Sequence, residues 1–127
     1  TTHKIYTLSL NDALPIYKMK VEKIDGITLL IPGERLDAID GPRLKDIVKA
    51  ISREAGVKLV IDMEKTLLLD SSGCGGLVSS LKSLSDNNGE MRIARPNPKC
   101  LEILILTRLH RVFDIHDSVE SAIQSFH

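Results

Sequence analysis

The chain has 127 residues, which suits one domain with one core, and 43% of them are hydrophobic against 27% charged, the balance of a globular protein. Lys plus Arg equal Asp plus Glu at 17 each, and aromatics make up 3%. This argues against both a basic nucleic-acid footprint and a base-stacking platform. No apolar run approaches the roughly 20 residues of a membrane span.

Residues 1–18 read differently from the rest of the chain. They have weak periodicity, no glycine and both tyrosines. They lack the basic and apolar regions of a signal peptide and resemble translated sequencing-adapter read-through. They are expected to form a non-native or disordered leader, with the domain spanning 19–127.

From Met19 the pattern is regular. Val21 and Ile24 alternate with Lys20, Glu22 and Lys23, Asp25-Gly26 marks a tight hairpin turn, and Ile27–Ile31 is the second strand. After Pro32-Gly33 a loop leads to Asp40-Gly41-Pro42, where Asp40 is expected to cap a helix with Pro42 in its first turn. Leu44, Ile47, Val48 and Ile51 give that helix an apolar face, and Gly56 is expected to end it. Val57–Asp62 is nearly continuous in apolar residues, as in a central strand covered on both faces.

A short apolar run, Leu67 to Leu69, feeds Asp70-Ser71-Ser72-Gly73 and a second helix to about Ser85. Met91–Ala94 is a short strand. Pro96 and Pro98 break the chain, with Asn97 available as a cap, and Leu101–Leu109 is expected to be a third helix, packed into the core, with a further contact surface as the alternative. Val112–Ile115 reads as extended. Asp117-Ser118 caps a last helix with Val119, Ala122, Ile123 and Phe126 on one face. Strands alternating with helices imply crossovers onto a parallel sheet. The fold class is therefore α/β, with a mixed, mostly parallel sheet of four to five strands, about four helices and an N-terminal β-hairpin.

Cys74 and Cys100 sit in apolar periodic segments and read as two buried thiols. No metal-ligand spacing surrounds them or His110 and His116, so neither a metal nor a cofactor is expected.

The serine turn is the segment that stability does not explain. Gly73, Gly75 and Gly76 crowd its first turns, and a helical glycine costs about 1 kcal/mol relative to alanine. A nucleophilic serine would need an oriented base, and no Gly-x-Ser-x-Gly elbow is present. A nucleotide loop would need Gly-x-x-x-x-Gly-Lys-Ser/Thr, which is also missing. A third chemistry is a serine that receives a phosphoryl group, since a helix N-terminus tolerates the added charge.

No Glu or Gln stands three residues after Ser71 or Ser72, so this is not a capping box, and the helix amides are expected to be free. The simpler alternative is that Asp70, Ser71 and Ser72 only cap the helix. Periodicity places Cys74, Leu77, Val78, Leu81 and Leu84 toward the core. It leaves Gly75, Gly76, Ser79, Ser80 and Ser83 as a small, uncharged face suited to a docking protein, with glycines that clear space for a kinase.

With these residues in view, 19–127 resembles the STAS domain of bacterial anti-sigma factor antagonists (anti-anti-sigma factors). The resemblance is carried by Arg35-Leu36-Asp37-Ala38, Pro42-x-Leu44 and Asp62 eight residues before Asp70. It continues with Asp70-Ser71-Ser72-Gly73 and Thr107-x-Leu109-x-Arg111-Val112-Phe113-x-Ile115. It implies a cytoplasmic partner-switching phosphoprotein that regulates transcription and has no active site of its own.

The implied partners are an anti-sigma factor that is also a serine kinase and a PP2C-type serine phosphatase. The implied acceptor is Ser71, with Asp70, Ser72 and Gly73 as neighbours, and Arg35 and Asp37 join the partner-binding set. A rival within the family is a constitutive scaffold, or a subunit of a lipid-transport ATPase or signalling complex. Three positions depart from the pattern: Cys74 replaces a larger aliphatic residue, Ile105 a polar one, and Arg108 a helix-ending glycine.

Overall fold

A computed structural model of the chain describes residues 5–8 and 19–127. Strands β2 (Lys20–Ile24) and β3 (Ile27–Ile31) form the expected hairpin, with Ile24 opposite Ile27. Asp25 and Gly26 both take positive φ, 52° and 82°, as the two-residue turn that matches strand twist requires. Strand β1 (Ile5–Leu8) lies antiparallel to β2 at the sheet edge. Apart from this strand, the leader expectation for 1–18 lies outside the described residues.

The chain then forms a two-residue strand β4 (Arg35–Leu36), helix α1 (Asp40–Ile51) and strand β5 (Lys58–Asp62). Strand β6 (Leu68–Leu69) leads into helix α2 (Ser71–Ser85) and strand β7 (Glu90–Ala94). Helix α3 (Pro98–Leu106), a 3-10 turn (Leu109–Arg111), strand β8 (Asp114–His116) and helix α4 (Val119–Gln124) complete it. The main sheet has the order β1-β2-β3-β5-β7-β8, parallel from β3 to β8, and β4 pairs with β6 as a separate parallel ladder.

The sheet divides the apolar interior in two. Leu30, Leu59, Ile61, Met91 and Ile93 meet Leu44, Ile47, Val48, Leu77, Leu84 and Leu104 from α1, α2 and α3. Ile27, Leu29, Val60 and Ala94 meet Ala122, Val119, Ile123 and Phe126 of α4 and its end. Alternate residues of β5 thus enter different clusters, which is why its apolar run is continuous.

Several local expectations are corrected. Asp40 does not cap α1 but is its first residue. The Asp37 carboxylate accepts from the Ile39 and Asp40 amides at 3.0 and 3.1 Å. Those two hydrogen bonds, with the Arg35 charge as a lesser cause, hold the Asp37 carboxyl below the usual Asp range. Gly56 does not end α1, whose C-cap is Ser52; it takes φ +73° in the turn before β5.

Helix α3 starts three residues earlier than expected, because Pro98 fits its first turn and Asn97 accepts from the Cys100 amide at 2.9 Å. It stops at Leu106, and Leu109 falls in the 3-10 turn. Between them Arg108 takes φ 62°, a left-handed conformation that costs a non-glycine residue roughly 1 kcal/mol. The helix is also less buried than expected. Cys100 and Leu104 are interior, but Ile105 and Leu106 are exposed. The extended segment begins at Asp114, not Val112.

Asp62 anchors the C-terminal edge of the sheet. It is buried, and Arg95 holds it with both guanidinium arms, Nε to Oδ1 at 3.1 Å and Nη2 to Oδ2 at 2.6 Å. The Glu64 amide donates to the same carboxylate at 3.2 Å. Both cysteines are free and buried, and burial pushes both thiols up. Among the described residues no three His, Cys, Asp or Glu side chains gather as a metal site. No helix among them is long and apolar enough to cross a membrane.

Candidate functional site

Helix α2 starts where β6 ends, beyond the C-terminal edge of the sheet. Its entry is fixed by backbone contacts: the Asp70 amide donates to the Leu36 carbonyl at 3.3 Å, and β4 pairs with β6 through Leu36 and Leu69. Asp70 is the N-cap, with extended backbone, and its Oδ1 accepts from the Gly73 amide at 3.0 Å. One of the amides expected to be free is therefore occupied. Ser71 and Ser72 come next, at positions whose amides an α-helix leaves without intrahelical partners. Ser71 is exposed and Ser72 half-buried. The first turn contains no acidic residue, so an anion on Ser71 would meet the positive end of the helix dipole, opposed locally by the Asp70 cap.

The three glycines of this turn do different things. A Cβ on Gly73 would sit 2.1 Å from the Leu36 carbonyl oxygen, and one on Gly76 would sit 2.5 Å from the carbonyl oxygen of Gly41 in α1. In return, a Cβ on Gly41 would meet the Ser72 carbonyl at 2.5 Å. So α1 and α2 touch backbone to backbone at their N-terminal ends, and Gly73 and Gly76 serve packing rather than kinase access. Gly75 differs: nothing lies within 4 Å of its missing Cβ, and it is exposed.

This contact rotates the helix relative to the expected faces. Gly73, Gly76 and Ser80 are buried, Gly73 against Leu36 of β4 and Gly76 against Gly41 of α1, and the Ser80 hydroxyl donates to the Gly76 carbonyl at 2.7 Å. Gly76 and Ser80 are thus corrected from the docking face to the interior. Val78, expected in the core, is 41% exposed. The exposed stripe is Ser71, Gly75, Val78 and Lys82, spaced as one face of a helix, with Ser79 and Ser83 half-buried at its margin.

The β4–β6 ladder brings the Arg35–Asp37 loop to the start of α2, with Arg35 opposite Leu68 and Leu36 opposite Leu69. Arg35 Nε pairs with Asp37 Oδ2 at 3.3 Å, while the other Asp37 oxygen holds the α1 amides. Arg35, Ile39 and Arg43 line a solvent-open groove of about 510 Å³. Ile39 is 63% exposed, and sequence pattern marks neither it nor Val78 as part of this surface. Ile39 is obscured because it lies in a loop without periodicity, and Val78 because its spacing with Cys74 and Leu81 reads as core.

The geometry sets one helix start, with Ser71 exposed at its first position, at the head of an exposed stripe whose one charge is Lys82. The chain belongs to the STAS domain family, whose model matches residues 18–122.

Among its relatives is the anti-sigma-B factor antagonist of Listeria monocytogenes, 26% identical over 98 residues, which cover 77% of this chain and 85% of the relative. An anti-sigma factor antagonist from Mycobacterium paratuberculosis has the same fold, with a TM-score of 0.74, 22% identity and coverage of 96% and 93% of the two chains. So does the anti-sigma factor antagonist SpoIIAA in its unphosphorylated form, with a TM-score of 0.73, 16% identity and coverage of 85% and 95%.

Proposed function

We propose that this chain is an anti-sigma factor antagonist, released from an anti-sigma factor kinase when Ser71 is phosphorylated. The observation that carries the reading is the exposed Ser71 hydroxyl at the first position of α2, with no acidic side chain in that turn and a small, nearly uncharged stripe running from it. Relatives that are antagonists of anti-sigma-B and anti-sigma F factors support it. So does the existence of SpoIIAA, a protein of this fold, in a phosphorylated form.

In the unphosphorylated state the kinase packs on Gly75 and Val78, with the Arg35–Asp37 loop at the edge of the contact. Transfer then forms a bond from Ser71 Oγ to the γ-phosphorus of ATP and breaks the bond to the departing ADP. The hydroxyl proton goes to a base on the kinase. The product carries roughly −1.5 to −2 charges at the centre of the contact. The helix amides accept that charge within this chain, but a desolvated partner surface does not. Dissociation results, and a PP2C-type serine phosphatase hydrolyses the ester to restore binding.

Incubation with the cognate kinase and ATP, then tandem mass spectrometry, tests this reading. A single phosphate on Ser71 is expected. A kinase active on another substrate that leaves Ser71 unmodified contradicts it. Stable capture of an ABC-type ATPase in place of a kinase would instead support the scaffold alternative.

A further inference from the structure

We infer that the corner where α3 turns toward β8 docks on an anionic membrane surface. Residues 105–112 are exposed one after another, with Leu109 alone half-buried, so the segment protrudes instead of presenting one helical face. Leu106 is 74% exposed, Val112 54% and Ile105 48%. Turn hydrogen bonds hold these aliphatic residues on one corner: the Arg108 amide donates to the Ile105 carbonyl, the Arg111 amide to that of Arg108, and the Val112 amide to that of Leu109.

From Ile103 to Phe113 the charged residues are Arg108 and Arg111, with exposed Glu102 one helical turn before Leu106. No carboxylate occurs between Glu102 and Asp114. Arg35, Arg43, Arg92 and Arg95 each hold a carboxylate, whereas Arg53, Arg108 and Arg111 make no ion pair among the described residues, and two of these three stand on this corner. Arg108 is also kept in a left-handed conformation that glycine would adopt freely, so local backbone preference does not explain the arginine.

Protruding aliphatic side chains beside unpaired guanidinium groups match a bilayer interface, which takes up the apolar groups while anionic headgroups take the cations. An acidic protein groove is the alternative, but a convex corner fits a deformable surface better. Ser71 lies at the strand C-terminal edge and this corner at the opposite edge, where α3 returns to the start of β8, so docking here leaves Ser71 free. Membrane docking of this kind does not depend on the function proposed above.

The test is co-sedimentation of the full chain with phosphatidylcholine vesicles, with and without phosphatidylglycerol, at low salt. The expected result is partition onto the phosphatidylglycerol vesicles alone, released by high salt. Converting Arg108→Glu and Arg111→Glu together should cut the partition roughly tenfold or more. Leu106→Ser should reduce it with the charges intact.

Arg108→Gly keeps the test interpretable if a charge reversal disturbs folding, since it should raise Tm while lowering vesicle binding. No partition, partition unchanged by these substitutions, or equal partition onto neutral vesicles would overturn the inference. So would capture of the corner by an acidic protein without vesicle binding.

Discussion

Gly75 and Gly76 are adjacent in the same helix and have opposite relations to the fold. Gly76 lets α1 and α2 meet at their backbones, and no larger residue fits there. Gly75 faces open space, so alanine would fit and would favour the helix. A residue that the fold requires reports on packing. One that the fold tolerates at a cost, one helical turn from the exposed Ser71, points to what the helix meets outside itself.

Substitutions can break this contrast from either side. Gly73→Ala should have the largest effect on folding, because its Cβ must displace the Leu36 carbonyl from 2.1 Å. A loss of about 3 kcal/mol is expected, with Gly76→Ala close behind at about 2 kcal/mol. In a domain of this size these lower Tm by roughly 10 °C, readable by thermal or urea unfolding. Gly75→Ala should have the opposite sign, a gain of up to about 1 kcal/mol in stability, accompanied by weaker kinase binding. If Gly75→Ala destabilises the chain, the assignment of that glycine to the exterior fails.

The smallest effect concerns acid stability. The Asp37 carboxyl is held below its ordinary value by the Asp40 and Ile39 amides, so its native-state pKa is depressed. The contribution is therefore present at neutral pH and is lost as pH falls below about 4, through the lowered value. Asp37→Asn should slightly lower stability at neutral pH and leave the acid region little changed, which flattens the acid limb of the stability profile.

Much of this arrangement is legible from side-chain pattern. The Asp25-Gly26 turn, the doubly covered β5, the Asn97 and Ser118 caps and the apolar face of α4 all carry local chemical signals, and the structure bears them out. The position of the serine turn at the start of α2 is legible for the same reason, since hydroxyls before a helix pattern are a local feature.

What is illegible depends on contacts between distant backbones. Periodicity gives weight to large apolar residues and none to glycine, so it cannot register a helix pair joined through Gly41, Gly73 and Gly76. It therefore places Val78 inward and Ser80 outward. The Asp37 cap escapes a reading by pattern because Asp40 stands closer to the helix and is an equally good capping type. The β4–β6 ladder is two residues long on each side, too short for alternation to show.

Ser71 is the centre of the proposed switch, and the affinity of two variants for the cognate kinase tests it most directly. Ser71→Ala should bind the kinase in the presence of ATP and stay bound, because no phosphate can form. Ser71→Glu should bind roughly a thousandfold more weakly, equivalent to about 4 kcal/mol. Equal affinities for the two variants, with both folded, would contradict the proposal that charge at this helix start ends the partnership.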